Sequence, residues 1–222
     1  MKIVALLGGT GEQGIGLAAR FCKAGRKVII GSRKDEKAKR ACERVKEILP
    51  TAEVSGFENL EAAKRGEIII LSVPFQHAIW TLRSVKEGLT EGKILVSQLV
   101  PLQANFGGRP TQVFQTWQGS VSEMIKSVVP RDVEVVSAFH NVGEKRLLDI
   151  KKPIECDIVV CGDSKEAKKE IMELAECIEG VRGIDGGKLS NSRFIEPLTA
   201  FLIGLNKRYK IEGAGIRFTY LE

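Results

Sequence analysis

The sequence contains few histidines and aromatic residues and no long apolar run. Of its 222 residues, two are histidine and 6% are aromatic. No stretch approaches the roughly 18 consecutive apolar residues that a membrane-spanning helix needs. The first residues also lead directly into a strand pattern and not into a signal peptide. We therefore expect a cytoplasmic protein that does not act in a membrane.

The cysteines also argue against metal or disulfide chemistry. The chain has five, an odd number, without a CxxC pair, and each lies within or beside an apolar run. Because an unpaired cysteine behaves as a small hydrophobic residue, buried free thiols and no metal site are expected. These cysteines are Cys22, Cys42, Cys156, Cys161 and Cys177.

The formal net charge of +6 is compatible with an acidic partner. It could suit nucleic acid, an acidic surface or a polyanionic small molecule. The basic residues are interspersed with acids along the chain and do not form a tail or an aromatic-interleaved patch, which argues against nucleic acid. A small-molecule ligand is the expected partner.

Apolar, β-branched runs alternate with helical periodicity along most of the chain. This pattern predicts an α/β fold with a doubly wound, mostly parallel Rossmann sheet and a small carboxyl-terminal α/β portion. Strands are predicted at 2–8, 27–32, 52–56, 67–73, 93–98, 133–139 and 157–162. Helices are predicted near 12–25, 34–48, 58–65, 75–87, 119–128, 164–178 and 191–207.

Two segments interrupt the alternation. Residues 99–116 contain two prolines and a Gly-Gly pair, and a loop this long in a compact domain is typical of a lid or a binding loop. Residues 141–153 are charged and suggest a domain boundary there. Beyond it, Asp163 and Glu166 have the spacing of a capping box for the following helix.

Gly9, Gly11 and Gly14 match the pattern GxGxxG between the first strand and a helix. In this position the glycines allow a tight turn, close approach of the backbone to a pyrophosphate, and packing of the helix on the strand. The pattern alone is weak, but its place in a βαβ unit indicates dinucleotide binding.

The end of the second strand decides which dinucleotide is expected. Where an NAD-binding protein carries an acid for the ribose hydroxyls, this chain has Ser32 and Arg33, with Lys37 four residues further on. A hydroxyl and two cations can bind a 2′-phosphate. NADP is therefore predicted as the cofactor, although Lys34 and Lys39 in the same basic run are interpreted as solvated side chains.

Several motifs resemble those of the archaeal F420-dependent NADP reductases over nearly the whole chain. They include "VALLGGTGEQGIGLA", "GSRKDEKAK", "LSVPFQHAIWT", "VVSAFH" and, most specifically, "DGGKLSNSRFIEPLT". The resemblance implies reversible hydride transfer between NADPH and the deazaflavin coenzyme F420, a co-substrate. Because both cofactors carry their own electron-transfer chemistry, no catalytic residue is predicted, and neither His77 nor His140 is expected to act as a base.

The resemblance also implies which residues bind the cofactors. Those expected at the NADP phosphates are Gly9, Thr10, Gly11, Glu12, Gln13, Gly14, Ser32, Arg33 and Lys37. Those expected beside the nicotinamide are Val73, His77, Val100 and Ala138. Arg109, Lys145, Arg146 and Arg193 are considered for the anionic tail of F420.

Two parts of the chain are expected to bind different cofactors. Residues 1–142 are predicted to bind NADP, and residues 143–222 to complete the F420 site. The last helix is apolar around most of its circumference, so it must be buried against the main domain or a second subunit, and a homodimer is expected. Two alternatives remain open, namely another NADP-dependent reductase, of imines or ferric centres, and a non-catalytic NADP-sensing module.

Overall fold

The computed structural model describes residues 1–221 as one β-sheet with helices on both faces. The strands are β1 (Val4–Leu7), β2 (Val28–Ser32), β3 (Val54–Glu58), β4 (Ile68–Leu71), β5 (Ile94–Ser97), β6 (Glu134–Ser137), β7 (Cys156–Gly162) and β8 (Val181–Asp185). The helices are α1 (Glu12–Lys23), α2 (Asp35–Ile48), α3 (Asn59–Arg65), α4 (Ala78–Ser84), α5 (Val121–Lys126), α6 (Glu144–Leu148), α7 (Lys165–Glu176), α8 (Ser192–Ile195) and α9 (Leu198–Tyr209). Short 3-10 helices occupy Phe75–His77, Lys86–Gly88, Gln103–Phe106 and Leu189–Asn191.

The strand order is β3-β2-β1-β4-β5-β6-β7-β8. Strands β1 to β6 pair in parallel, β7 runs antiparallel to β6, and β8 pairs in parallel with β7. The predicted mostly parallel, doubly wound sheet is confirmed. Its order reverses between β1 and β4, and ligands of open α/β sheets bind at such a point, outside the carboxyl ends of the strands.

The two faces of the sheet hold separate hydrophobic clusters. One packs α1, α2, α6 and α7 against the sheet, and the other packs α3, α4 and α5. Every residue of β1, β4 and β5 is buried, which explains why these strands are continuous apolar runs instead of alternating ones. The buried strands are therefore fixed relative to one another, and so are the positions of their carboxyl ends.

Several details differ from the predictions. The helix predicted at 191–207 is divided at Glu196 and Pro197 into α8 and α9, and the helix predicted at 75–87 is α4 with a short 3-10 helix at each end. Strand β8 was not predicted, because its sequence "VRGID" contains only two large apolar residues and lies at the sheet edge with one face half-exposed. The capping box was also wrong: Ser164 caps α7 by accepting a hydrogen bond from the amide of Ala167 at 3.1 Å. The Asp163 carboxylate instead accepts from the amide of Leu189 at 3.2 Å.

The charged segment around 141–153 is held firmly against α1. Gly16 lets the two segments approach, since a Cβ at this position would lie 2.5 Å from the Cβ of Leu147. The buried Arg20 guanidinium donates to the carbonyls of Arg146 at 2.7 Å, Leu147 at 3.0 Å and Asp149 at 2.6 Å. These carbonyls lie at the carboxyl terminus of the short helix α6, where the last carbonyls of a helix lack intrahelical partners. Arg20 supplies the hydrogen-bond donors for them.

The cysteines are free thiols, as predicted, and all but Cys177 are buried. Burial raises the pKa of the Cys22 thiol to about 12 and that of Cys161 to about 11, so both stay protonated. Across residues 1–221, no group of three or more His, Cys, Asp or Glu side chains could hold a metal ion. Within the same range, the helices are all too short or too polar to cross a membrane.

Candidate functional site

The glycine loop connects β1 to α1 at the carboxyl edge of the sheet. Gly14 lies against the loop, since a Cβ there would be 2.5 Å from the Cα of Gly9. Gly8, which the motif does not include, has φ of +73° and faces Val73 of the neighbouring strand end. Gly11 is different: a Cβ built on it would meet nothing within 4 Å.

The open space at Gly11 lies where a pyrophosphate would bind. Gly11 is the N-cap residue of α1, and among residues 1–221 no side chain caps this end of the helix. The first N–H groups of a helix lack intrahelical partners and carry the positive end of the helix dipole, so they bind anions. The loop geometry therefore fits a dinucleotide pyrophosphate.

The structure places the three predicted 2′-phosphate residues together at the end of β2. Ser32 is the last residue of the strand and is buried, whereas Arg33 and Lys37 are exposed on the loop and the first turn of α2. Within residues 1–221, neither Arg33 nor Lys37 forms an ion pair, while the nearby acid Asp35 is paired with Lys39 at 2.5 Å. Both cations are thus available to an anion.

A cavity of about 580 Å³ opens beside the glycine loop at the carboxyl ends of β4, β5 and β6. This volume is typical of a small-molecule or cofactor site. Its walls are Gln13, residues 72–75, 98–100, Leu102, Asn105, residues 139–145, the inner side of α9 and the segment 211–214. Leu99, Val100, Leu102 and Asn105 belong to the long loop after β5, so this loop contributes to the candidate site.

Some buried polar atoms in or near the cavity have no hydrogen-bond partner within residues 1–221. They include both ring nitrogens of His140, Oε1 of Gln98, and the hydroxyls of Ser97 and Ser137. Gln98 and His140 line the cavity. Buried polar groups almost always have partners, so these atoms fit a ligand that carries polar groups, such as the amide of a nicotinamide or the ring of a deazaflavin.

His140 follows a strained turn of the backbone. Phe139 has φ of +66°, which is a genuine outlier for a bulky side chain. The Phe139 ring is buried and packs edge-on against Phe21, with ring centroids 6.0 Å apart. Burial lowers the pKa of His140 to about 3, so its imidazole is neutral near pH 7. It can donate or accept a hydrogen bond there without carrying charge.

The structure brings together only some of the residues expected at the nicotinamide. Val73 and Val100 line the cavity, as does Gln13, whose side-chain amide donates to the carbonyl of Val142 at 3.3 Å. His77 is exposed on a 3-10 helix and does not line the cavity. Ala138 is completely buried and does not line the cavity, which begins at the next residue, Phe139.

Comparison with known proteins identifies the family. Residues 3–101 match the family model described as NADP oxidoreductase, coenzyme F420-dependent. The chain is 50% identical to the F420-dependent NADP reductase of Methanocaldococcus jannaschii, with 100% of both chains covered. The chain belongs to the F420-dependent NADP reductase family. The reductase of this family from Methanothermobacter marburgensis is 45% identical, with 100% of this chain and 99% of that chain covered.

A solved structure supports the fold of this family member. The crystal structure of an Arthrobacter sp. FB24 protein, described as an F420-dependent NADP reductase, superposes with a TM-score of 0.83 and covers 99% of each chain. The two sequences are 23% identical, so the likeness concerns the fold. The predicted family resemblance and the predicted Rossmann sheet are both confirmed.

Sequence reasoning missed several residues that line the cavity of this family member. Asn141 follows His140, Thr199 and Asn206 lie on α9, and residues 211–214 come from the carboxyl-terminal segment. The Thr199 hydroxyl donates to the backbone carbonyl of His140 at 2.7 Å and so ties α9 to the end of β6. Only the motif "IEPLT" could have pointed to Thr199, because contacts between segments this far apart leave no local pattern.

Proposed function

We infer that the protein catalyses reversible hydride transfer between NADPH and coenzyme F420. The observation that carries this conclusion is the 50% identity, over the full length of both chains, to an archaeal F420-dependent NADP reductase. The candidate site is compatible with it, because a glycine loop suited to a pyrophosphate adjoins a cavity large enough for planar rings. When bound, the two cofactors supply the redox chemistry themselves.

The role that we propose for the protein is to hold the two rings in contact and to exclude water. Val73 and Val100 offer apolar surface toward the nicotinamide, and Gln13 joins the phosphate loop to the strand-six side of the cavity. Holding two reactants in a reactive orientation removes much of the entropic part of the barrier. Neutral His140 would hydrogen-bond a ring substituent and take no proton.

We propose that residues 1–142 bind NADP and that residues 143–222 complete the F420 site. Ser32, Arg33 and Lys37 would bind the 2′-phosphate, with the pyrophosphate at the loop of Thr10, Gly11 and Glu12. The exposed carboxylate of Glu58 lies opposite Ser32 in the neighbouring strand. Arg33 and Lys37 form no ion pair within residues 1–221, which favours a phosphate over two free hydroxyls. For F420, Lys145 is the basic residue that lines the cavity.

The other reductase functions and the sensing module are not favoured. An imine or ferric reductase would share the glycine loop, but the full-length relatives at 50% and 45% identity are F420-dependent NADP reductases. A sensing module would have no need of a cavity that extends from Val73 and Val100 to α9 and residues 211–214. The cytoplasmic location stays a prediction that the free, buried cysteines favour.

The assignment is tested by mixing the protein anaerobically with NADPH and oxidised F420 and following the visible absorbance of the deazaflavin. Rapid loss of absorbance that requires NADPH, and is far slower with NADH, is the expected result. Tight NADPH binding by calorimetry without any absorbance change would contradict the proposal. That outcome would favour the sensing module or another reductase.

We also propose that the protein forms a homodimer through α8 and α9. Among the twelve residues of α9 only Ala200 and Leu202 are buried, although the helix is largely apolar. Phe194 of α8 is 69% exposed, and Phe201 of α9 is 60% exposed. An exposed apolar surface of this kind is typical of a subunit interface. A second copy of the chain would cover it.

Light scattering coupled to size-exclusion chromatography tests the dimer. The unchanged protein is expected to elute at twice the chain mass, and the double variant Phe194→Glu/Phe201→Glu at the mass of one chain, because a buried unpaired carboxylate opposes association. Trp80→Glu is the matched control, since Trp80 is also 60% exposed but lies on α4. A monomeric unchanged protein, or dissociation by the Trp80 variant alone, would refute this interface.

A further inference from the structure

The segment that follows α9 forms one wall of the cavity. The chain leaves the helix through Lys210, which has φ of +54°, and residues 211–214 then line the cavity. Asn206 of α9 holds the near end of this segment. Its backbone carbonyl accepts from the amide of Ile211 at 3.1 Å, and its side-chain oxygen accepts from the amide of Ala214 at 2.9 Å.

The far end of the segment is held by Asp157 of β7. The Asp157 side chain is completely buried and accepts from the amide of Phe218 at 2.7 Å. It also accepts two hydrogen bonds from Arg182, at 2.8 and 2.7 Å, and one from Arg217 at 3.3 Å. The amide of Asp157 donates in turn to the carbonyl of Ile216 at 2.7 Å.

This arrangement needs a carboxylate. A buried charge is tolerated only where it is paired and its lone pairs are satisfied, and here Arg182 and the Phe218 amide satisfy both oxygens of Asp157. Arg182 holds the pKa of Asp157 below its usual value. Arg182 also donates to the carbonyl of Phe218 at 2.7 Å. The Asp157–Arg182 ion pair therefore binds both the amide and the carbonyl of Phe218.

The proposed function assigns this wall to one ligand. Residues 211–214 line the cavity together with Lys145 and the inner side of α9, and all of these lie in the part of the chain, residues 143–222, that we propose completes the F420 site. Glu212 of the segment forms an ion pair with Lys145, which also lines the cavity. An F420 molecule bound against these residues would contact the segment.

We propose that Asp157 is a positioning residue that fixes the carboxyl-terminal segment as a wall of the coenzyme F420 half of the site. This inference rests on the proposed function, because that function assigns the cavity to F420. Asp157 lies behind the wall and does not line the cavity. It acts through residues 211–214, whose place is set by Asn206 at one end and Asp157 at the other.

The test compares the full-length Asp157→Asn variant with the unchanged protein by steady-state kinetics and by limited trypsin digestion. The amide would direct an N–H toward Arg182 or the Phe218 amide, so the segment would loosen. We expect KM for F420 to rise about tenfold, equivalent to the loss of a few apolar contacts. KM for NADPH and kcat at saturating F420 should change less than about twofold, and cleavage after Lys210 and Arg217 should become faster.

Two further variants keep the test decisive. Glu170→Gln is the control, because it breaks an ion pair with Lys2, on α7 and away from the cavity, and should change neither KM nor the digestion pattern. A chain that ends after Lys210 keeps the Asp157 carboxylate but removes the wall together with Arg217 and the Phe218 amide, and it should show the same rise in KM for F420. This variant decides the question if Asp157→Asn does not fold.

The results that would overturn the inference are specific. If trypsin removes the segment quickly and KM for F420 does not change, the segment is not part of the F420 site. Unchanged digestion of Asp157→Asn would show that Asp157 is not its anchor. If the unchanged protein fails to reduce F420, the proposed function has failed, and the digestion still decides whether Asp157 holds the segment.

Discussion

Replacing Arg33 with alanine is expected to weaken NADPH binding about 10- to 100-fold and to leave NADH binding within about twofold. A charge-assisted hydrogen bond contributes about 1.5–3 kcal/mol, and 1.4 kcal/mol corresponds to a factor of ten. Only NADPH carries the 2′-phosphate that the exposed guanidinium at the end of β2 can bind. Calorimetric titration of both cofactors measures the difference.

The control for this experiment is Lys34→Ala. Lys34 is the neighbouring residue, it is exposed, and its removal changes the net charge by the same amount. A small, salt-dependent loss of affinity is expected for it, since a solvated charge acts only at long range. Equal losses for NADPH and NADH in the Arg33 variant would mean that Arg33 supports the fold of the loop and does not select the cofactor.

Replacing Gly11 with valine is expected to raise KM for NADPH about 100-fold or more without lowering the melting temperature appreciably. The structure leaves more than 4 Å of free space around a Cβ at this position, so the fold has room for the side chain. The backbone has φ of −85° and ψ of 173°, which valine adopts readily. The side chain would occupy the approach of the pyrophosphate and cost about two charge-assisted hydrogen bonds.

Gly14→Ala gives the contrast that this prediction requires. Its methyl group would lie 2.5 Å from the Cα of Gly9, where only backbone can move, so overpacking by about 1–3 kcal/mol is expected. For a chain of this size, that corresponds to a fall in melting temperature of several degrees, about 2–4 °C per kcal/mol. A Gly11 variant that melts early, or that binds NADPH normally, would contradict the assignment of the pyrophosphate to this loop.

The sequence by itself determined seven of the eight strands of the sheet and predicted the dinucleotide half of the candidate site. Strands β1, β4 and β5 are buried on both faces, so their apolar runs could be recognised locally. The glycine loop could be recognised too, because its steric requirements fall on residues five or fewer apart. Ser32, Arg33 and Lys37 are likewise close in the chain, and their position follows from the end of a single strand.

Only the tertiary structure decided the second half of the site. The unpaired ring of His140, the inner side of α9 and residues 211–214 meet at one cavity, although they lie up to about 70 residues apart in the chain. Asp157 reads in the sequence as the polar first residue of an apolar strand, and its partners Arg182 and Phe218 give no local pattern. Hydrogen bonds between distant segments depend on which strands become neighbours. That choice is made by the packing of the whole sheet, and short-range periodicity does not encode it.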